Sequence, residues 1–164
     1  WMEVSVKEIL SGLKSFRNAP HRLELVKEID GVRFINDSKA TNVDSVYYAL
    51  EGIHNKIIWI AGGTDKGNDY SQLEPMVRKK VKTLISLGVD NTPLNQFFEG
   101  IVEVITTNKM EQAVKKAFEA AKPGDVVLLS PACASFDLFK NYEDRGDQFK
   151  KVVESLTKKK KVKA

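Results

Sequence analysis

Ile57-Ile58-Trp59-Ile60-Ala61, followed at once by Gly62-Gly63-Thr64-Asp65-Lys66-Gly67, is the stretch on which the fold turns. Five consecutive apolar residues, mostly β-branched or aromatic, describe a strand covered on both faces, because a half-exposed strand would alternate apolar with polar. Such strands occur where helices pack on either side of a parallel sheet.

Working outward, strand and helix alternate. Downstream, a helix over Tyr70–Lys79 precedes a strand over Thr83–Leu87, and a short helix over Pro93–Phe98 precedes Ile101–Ile105. Asn108, with Glu111 three residues on, predicts a capping box for a helix ending near Ala121. Pro123-Gly124-Asp125 then turns into the strand Val126–Leu129, and a last helix covers Asn141–Leu156. Upstream, a helix spans Asn42–Ile53, and Leu23–Ile29 and Val32–Ile35 flank Asp30-Gly31, a two-residue hairpin signal. Val6, Ile9, Leu10, Leu13 and Phe16 recur at helical spacing behind Ser5, which reads as an N-cap. The whole predicts an α/β domain: a Rossmann-like, doubly wound, mostly parallel sheet with an N-terminal β-hairpin.

The chain has 164 residues, 42% of them hydrophobic and 29% charged, which suits one folded domain and excludes a disordered or fibrous chain. Its net charge of +4 is local: five lysines, Lys158 to Lys161 and Lys163, stand near the end, and without them 21 basic face 22 acidic residues. Residues 1–157 therefore read as the domain, and 158–164 as a solvated, disordered lysine-rich tail; contact with RNA or a membrane surface is the weaker reading of that tail. No apolar run reaches the ~18 residues of a membrane span. A single cysteine, Cys133, cannot form an internal disulfide, and the opening residues lack the pattern of a secretory leader, so the expected location is cytoplasmic. His21 and His54 lie far apart and lack Cys or His neighbours, so no metal site is expected.

Ligands of open parallel sheets collect beyond the carboxyl ends of the strands, and three polar loops follow strands here. Asn36-Asp37-Ser38-Lys39-Ala40-Thr41-Asn42 places a carboxylate, an ammonium and hydroxyls just before a helix N-terminus, where an anion is favoured; ordinary capping is its plain alternative. Gly62–Gly67 allows close backbone approach and adds Lys66, yet satisfies neither nucleotide-loop fingerprint. Ser130-Pro131-Ala132-Cys133-Ala134-Ser135-Phe136-Asp137 is rich in small residues and supplies two hydroxyls; tight loop packing would also explain it. Together the loops suggest a small acidic ligand held by Lys39, Lys66, Thr41 and Ser135.

His21-Arg22-Leu23-Glu24, the 36–42 string, Leu128–Ser135 and Phe139-Lys140-Asn141-Tyr142-Glu143-Asp144-Arg145-Gly146 strongly resemble, in that order, the C-terminal domain of the Mur ligases, over roughly residues 5–156. Related ligases tend to carry a histidine-containing D-x-A-H motif where this chain has Asp37-Ser38-Lys39-Ala40-Thr41, which favours the D-glutamate-adding branch of the family. The resemblance implies an ATP- and Mg²⁺-dependent amide-forming ligase of peptidoglycan synthesis acting through an acyl phosphate, with D-glutamate and UDP-N-acetylmuramoyl-L-alanine as partners of ATP. It implies that Thr41, Lys66, Ser135, Phe136 and Tyr142 hold the D-glutamate carboxylates. Arg22 and Asp37 would contact the ATP ribose and phosphate region, and Lys39 would stand near the reacting groups. Phe136 and Tyr142 depart from the residues common among relatives, and the Gly62–Gly67 loop matches only loosely. The phosphate-binding loop, the Mg²⁺ ligands and the nucleotide-sugar pocket would lie in other domains, so the 164-residue chain is expected to fold but not to catalyse alone, as a monomer with no nucleic-acid partner. A non-catalytic α/β module binding an acidic metabolite or nucleotide is the alternative.

Overall fold

A computed structural model describes residues 5–8, 11 and 18–163, with side chains as far as Leu156. Six strands form one sheet: β1 (Glu24–Ile29), β2 (Val32–Asn36), β3 (Ile57–Ala61), β4 (Val81–Leu87), β5 (Glu103–Thr107) and β6 (Val126–Leu129), in the spatial order β1-β2-β6-β3-β4-β5. Only the β1–β2 pair is antiparallel. Among the described residues five helices connect or follow the strands: α1 (Val43–Gly52), α2 (Glu74–Lys80), α3 (Thr92–Phe98), α4 (Met110–Ala120) and α5 (Tyr142–Lys163).

All five residues of β3 are buried, as a doubly covered strand demands. Its side chains alternate between two cores. Ile57, Trp59 and Ala61 meet α1, α2 and α3 through Val46, Leu50, Val77 and Phe98. Ile58 and Ile60 meet α4 and α5 through Val114, Ala117, Phe149 and Val153. Three of the described helices thus cover one face and two the other, confirming the doubly wound architecture. Trp59 is fully buried and its indole N–H donates to Ser130 O at 2.7 Å, so the large ring enters the core without an unpaired donor.

The hairpin closes where Asp30-Gly31 predicts: Ile29 pairs with Val32, and both turn residues have positive φ, 51° and 76°. Asn42 caps α1, its Oδ1 accepting from Ser45 N at 2.8 Å. The sequence puts the cap at Asn108, whereas α4 starts behind Lys109, whose amide donates to Thr107 Oγ1 at 3.2 Å. The preceding strand runs over Glu103–Thr107, two residues later than its apolar letters suggest, because Ile101 and Val102 pack against the first core as a turn behind α3. A 3-10 turn, Ser71–Leu73, takes the first part of the helix expected from Tyr70.

Ser5 and Glu8 bond reciprocally, Ser5 N to Glu8 Oε2 at 2.9 Å and Glu8 N to Ser5 Oγ at 3.3 Å, which bears out the cap; Ile9, Leu10, Leu13 and Phe16 lie outside the described residues. The backbone of α5 continues as helix through the lysine run, where the sequence reading expects a tail; no glycine or proline follows Gly146, and lysine is a good helix former. Among the described residues no helix is long and apolar enough to cross a membrane.

Candidate functional site

The chain divides at β6. The loops after β2 and β3 lead to helices on one face, whereas the loop after β6 leads to α5 on the other. Adjacent loops that part to opposite faces leave a crevice, where open α/β sheets take ligands.

Short backbone bonds hold the three loops at fixed distances. Gly62 N donates to Pro131 O and Thr64 N to Ala134 O, both at 2.9 Å, while Ala132 N donates to Ala40 O at 2.9 Å. The 130–137 loop is therefore tied to both neighbours. Gly63 makes the approach possible: its φ is 135°, and a Cβ there would collide with the Ala134 carbonyl oxygen.

Two cavities open at this end. The first, about 440 Å³, is lined by Thr41, Lys66, Ser135, Phe136 and Tyr142, all five of the residues expected at the amino-acid site, together with Thr64, Asn68, Asn141 and Glu143. The second, about 370 Å³, is lined by Arg22, Asp37 and Lys39 beside Asn18, Leu23, Ser45 and Tyr48. Lys39 Nζ lies 5.6 Å from the centroid of the Tyr142 ring, a cation–π contact where the two cavities meet. Thr41 and Lys66 are exposed, Ser135 is buried, and Phe136 presents its ring to solvent at 71% exposure. Lys66 lines the first cavity and Lys39 the second, with the buried Ala40 between Lys39 and Thr41 in the chain.

Asp37 occupies the floor of the second cavity. Its carboxylate accepts from Ser130 Oγ at 2.8 Å and from Leu23 N at 3.1 Å. Burial raises its pKa to about 6, outweighing those two hydrogen bonds and the charge of Arg22, which act the other way. Cys133 borders the first cavity, but burial pushes its thiol pKa up and leaves it a poor nucleophile. Among the described residues, the one thiol that borders this cavity is therefore not activated as a nucleophile.

Two side chains matter here to which the sequence reading assigned no role. Arg145 on α5 is 1% exposed; its Nε donates to Ser38 Oγ (2.9 Å), Nη2 to Ser38 O (2.8 Å) and Nη1 to Cys133 O (3.1 Å). It staples the first loop to the third. Burial lowers its pKa to about 10, so it stays charged at neutral pH. The signal was present in the sequence, since Arg145 stands four and eight positions before the buried Phe149 and Val153 on one helical stripe. His21, also buried, lies with Nδ1 3.0 Å from Asn36 Nδ2 and its ring 5.9 Å from that of Tyr142, which fixes the entry to the first loop.

A doubly wound sheet whose switch point carries a cationic, hydroxyl-bearing cavity beside a second polar one places this chain among the open α/β sheets. Residues 21–133 match the Mur ligase glutamate ligase domain, and the chain belongs to that family. It is 55% identical over 152 residues to the UDP-N-acetylmuramoylalanine--D-glutamate ligase of Cytophaga hutchinsonii, covering 92% of this chain and 34% of that protein. The enzyme of the same name from Porphyromonas gingivalis is 54% identical over 156 residues, covering 94% of this chain and 35% of its own. The chain thus spans about a third of the length of these curated relatives. Among solved structures, a bifunctional folylpolyglutamate synthase/dihydrofolate synthase from Yersinia pestis superposes with a TM-score of 0.61 at 17% identity, over 95% of this chain and 35% of that one. A pseudomurein peptide ligase type C from Methanothermus fervidus gives 0.59 at 19%, over 93% and 32%. Both show the shared fold.

Proposed function

We propose that the chain is the C-terminal, amino-acid-binding domain of an ATP-dependent ligase that adds D-glutamate to UDP-N-acetylmuramoyl-L-alanine in peptidoglycan synthesis. The observation that supports this most is the grouping of Thr41, Lys66, Ser135, Phe136 and Tyr142 around one cavity, with Arg22, Asp37 and Lys39 around the next. In that reaction the alanyl carboxylate takes the terminal phosphoryl group of ATP, leaving ADP and an acyl phosphate. The amine of D-glutamate forms the new C–N bond, the tetrahedral intermediate breaks its C–O bond to phosphate, and the nitrogen loses a proton. The domain contributes position and charge. Lys66 would face a D-glutamate carboxylate, and the Thr41 and Ser135 hydroxyls and the backbone beside Phe136 would hold its oxygens. Tyr142 would wall the cavity on the side where Lys39 reaches toward the reacting groups. Arg22 and Asp37 would meet the ribose and phosphates of ATP.

Mg²⁺, which screens the phosphates in such reactions, would be held mainly by parts of the enzyme outside this chain, as would the nucleotide-sugar. The domain comprises residues 1–157 with 158–164 as a lysine-rich appendage, and the enzyme works in the cytoplasm as a monomer. Calorimetric titration of the intact ligase with D-glutamate and a non-hydrolysable ATP analogue, singly and together, tests the proposal. Binding of both ligands, lost for D-glutamate alone on Lys66→Ala, is expected; unaltered D-glutamate binding by that variant overturns the assignment. The 164-residue chain by itself should form no amide.

A further inference from the structure

Lys66 follows a carboxylate in the chain, and a neighbouring Asp65 is the nearest candidate in sequence to neutralise it. The structure turns that carboxylate elsewhere. Asp65 Oδ1 accepts from Gly67 N at 2.8 Å and Asn68 N at 2.9 Å, and Oδ2 accepts from the Tyr70 hydroxyl at 2.6 Å. Tyr70 is 2% exposed, its ring set against Phe97 and Phe98 at 6.0 and 5.7 Å. Its hydroxyl oxygen also lies 3.4 Å from Cys133 Sγ and 3.3 Å from Asn68 Nδ2, and that amide donates to Ala132 O at 3.1 Å. Among the described residues Lys66 takes part in no ion pair and lines the first cavity.

We infer that Tyr70 is a positioning residue: by donating its hydroxyl hydrogen to Asp65 Oδ2 it holds that carboxylate against the loop and leaves the adjacent Lys66 ammonium free for the carboxylate of the incoming amino acid. This rests on the proposed function. Three donors hold both Asp65 oxygens within the loop, which keeps the carboxylate from turning to Lys66. The phenol donates at any working pH, since burial and the bond to Asp65 hold its pKa far above the usual tyrosine value. Removing the hydroxyl frees Oδ2, one residue from Lys66, to compete with the substrate for the ammonium.

The test compares Tyr70→Phe, Asp65→Asn and the double variant in the intact ligase, by steady-state kinetics for each substrate. Tyr70→Phe keeps the ring and its packing. We expect KM for D-glutamate to rise on the order of tenfold, the worth of one hydrogen bond to a charged group, with kcat and the KM for ATP within about twofold of wild type. Asp65→Asn added to Tyr70→Phe should restore most of the D-glutamate KM, because an amide cannot pair with the ammonium. A purely structural role predicts the opposite, a double variant worse than either single one with kcat and melting temperature falling together. That outcome, or an unchanged D-glutamate KM in Tyr70→Phe, overturns the inference. A wild-type enzyme indifferent to D-glutamate would instead overturn the proposed function.

Discussion

Ser130 donates its hydroxyl hydrogen to Asp37 Oδ2 at 2.8 Å, joining the end of β6 to the end of β2 across 93 positions of sequence. The bond lies beneath the second cavity and gives a buried carboxylate one of its two hydrogen-bond donors, the other being Leu23 N.

That carboxylate makes stability depend on pH in the direction opposite to most acidic groups. The folded pKa, about 6, lies above the ordinary aspartate value of 3.8. Between those values the native chain holds a proton that the unfolded chain has released, so stability falls as pH rises from about 4 to about 6 and is level beyond. The full loss is about 2–3 kcal/mol. Asp37→Asn should therefore unfold at higher urea than wild type at pH 8, with the gap closing at pH 4. A gap unchanged between those pH values would refute the assignment.

Arg145 offers a stability test of the loop staple. Lysine cannot make its three directed bonds at once, so Arg145→Lys leaves buried oxygens of Ser38 or Cys133 short of a donor. The expected loss is about 2–4 kcal/mol in urea unfolding of the 164-residue chain. Loss below about 1 kcal/mol would mean that water replaces the guanidinium.

Hydroxyl removal at the first cavity reports on its ligand. In the intact ligase Thr41→Ala and Ser135→Ala should each raise the KM for D-glutamate more than that for ATP, by about 10- to 100-fold if each gives one bond to a charged oxygen. Wild-type kinetics in both variants would remove these residues from the amino-acid site.

Lys80 supplies a test away from the site. Its Nζ donates to Leu50 O, Glu51 O and Ile53 O at 2.7–2.8 Å, closing the C-terminal end of α1, whose last turn has no basic residue of its own. Lys80→Met should cost about 1–2 kcal/mol, read from the thermal midpoint.

The architecture was legible because it rests on short-range rules. A run of five apolar residues at 57–61 admits one kind of strand, and Asp30-Gly31 suits the left-handed conformation its turn requires. Where a letter pattern had a competitor, the reading slipped. The helix expected behind Asn108 begins one residue later, behind Lys109, and the strand after α3 starts late because Ile101 and Val102 pack on the first core. The candidate residues group around two cavities along the division that the resemblance implied, whereas the carboxylate of Asp65 turning away from Lys66 left no trace in the letters.

By itself, then, the order of residues determined the strands, the helices, the three polar loops and which side chains could serve an anionic ligand, since periodicity and turn chemistry act within a few positions. Only the tertiary structure decided that β6 inserts between β2 and β3, and with it which loops meet. Pairings such as Ser130 with Asp37 and Arg145 with Ser38 join positions 93 and 107 apart; burial and desolvation there depend on the assembled sheet, which no local pattern of residues encodes.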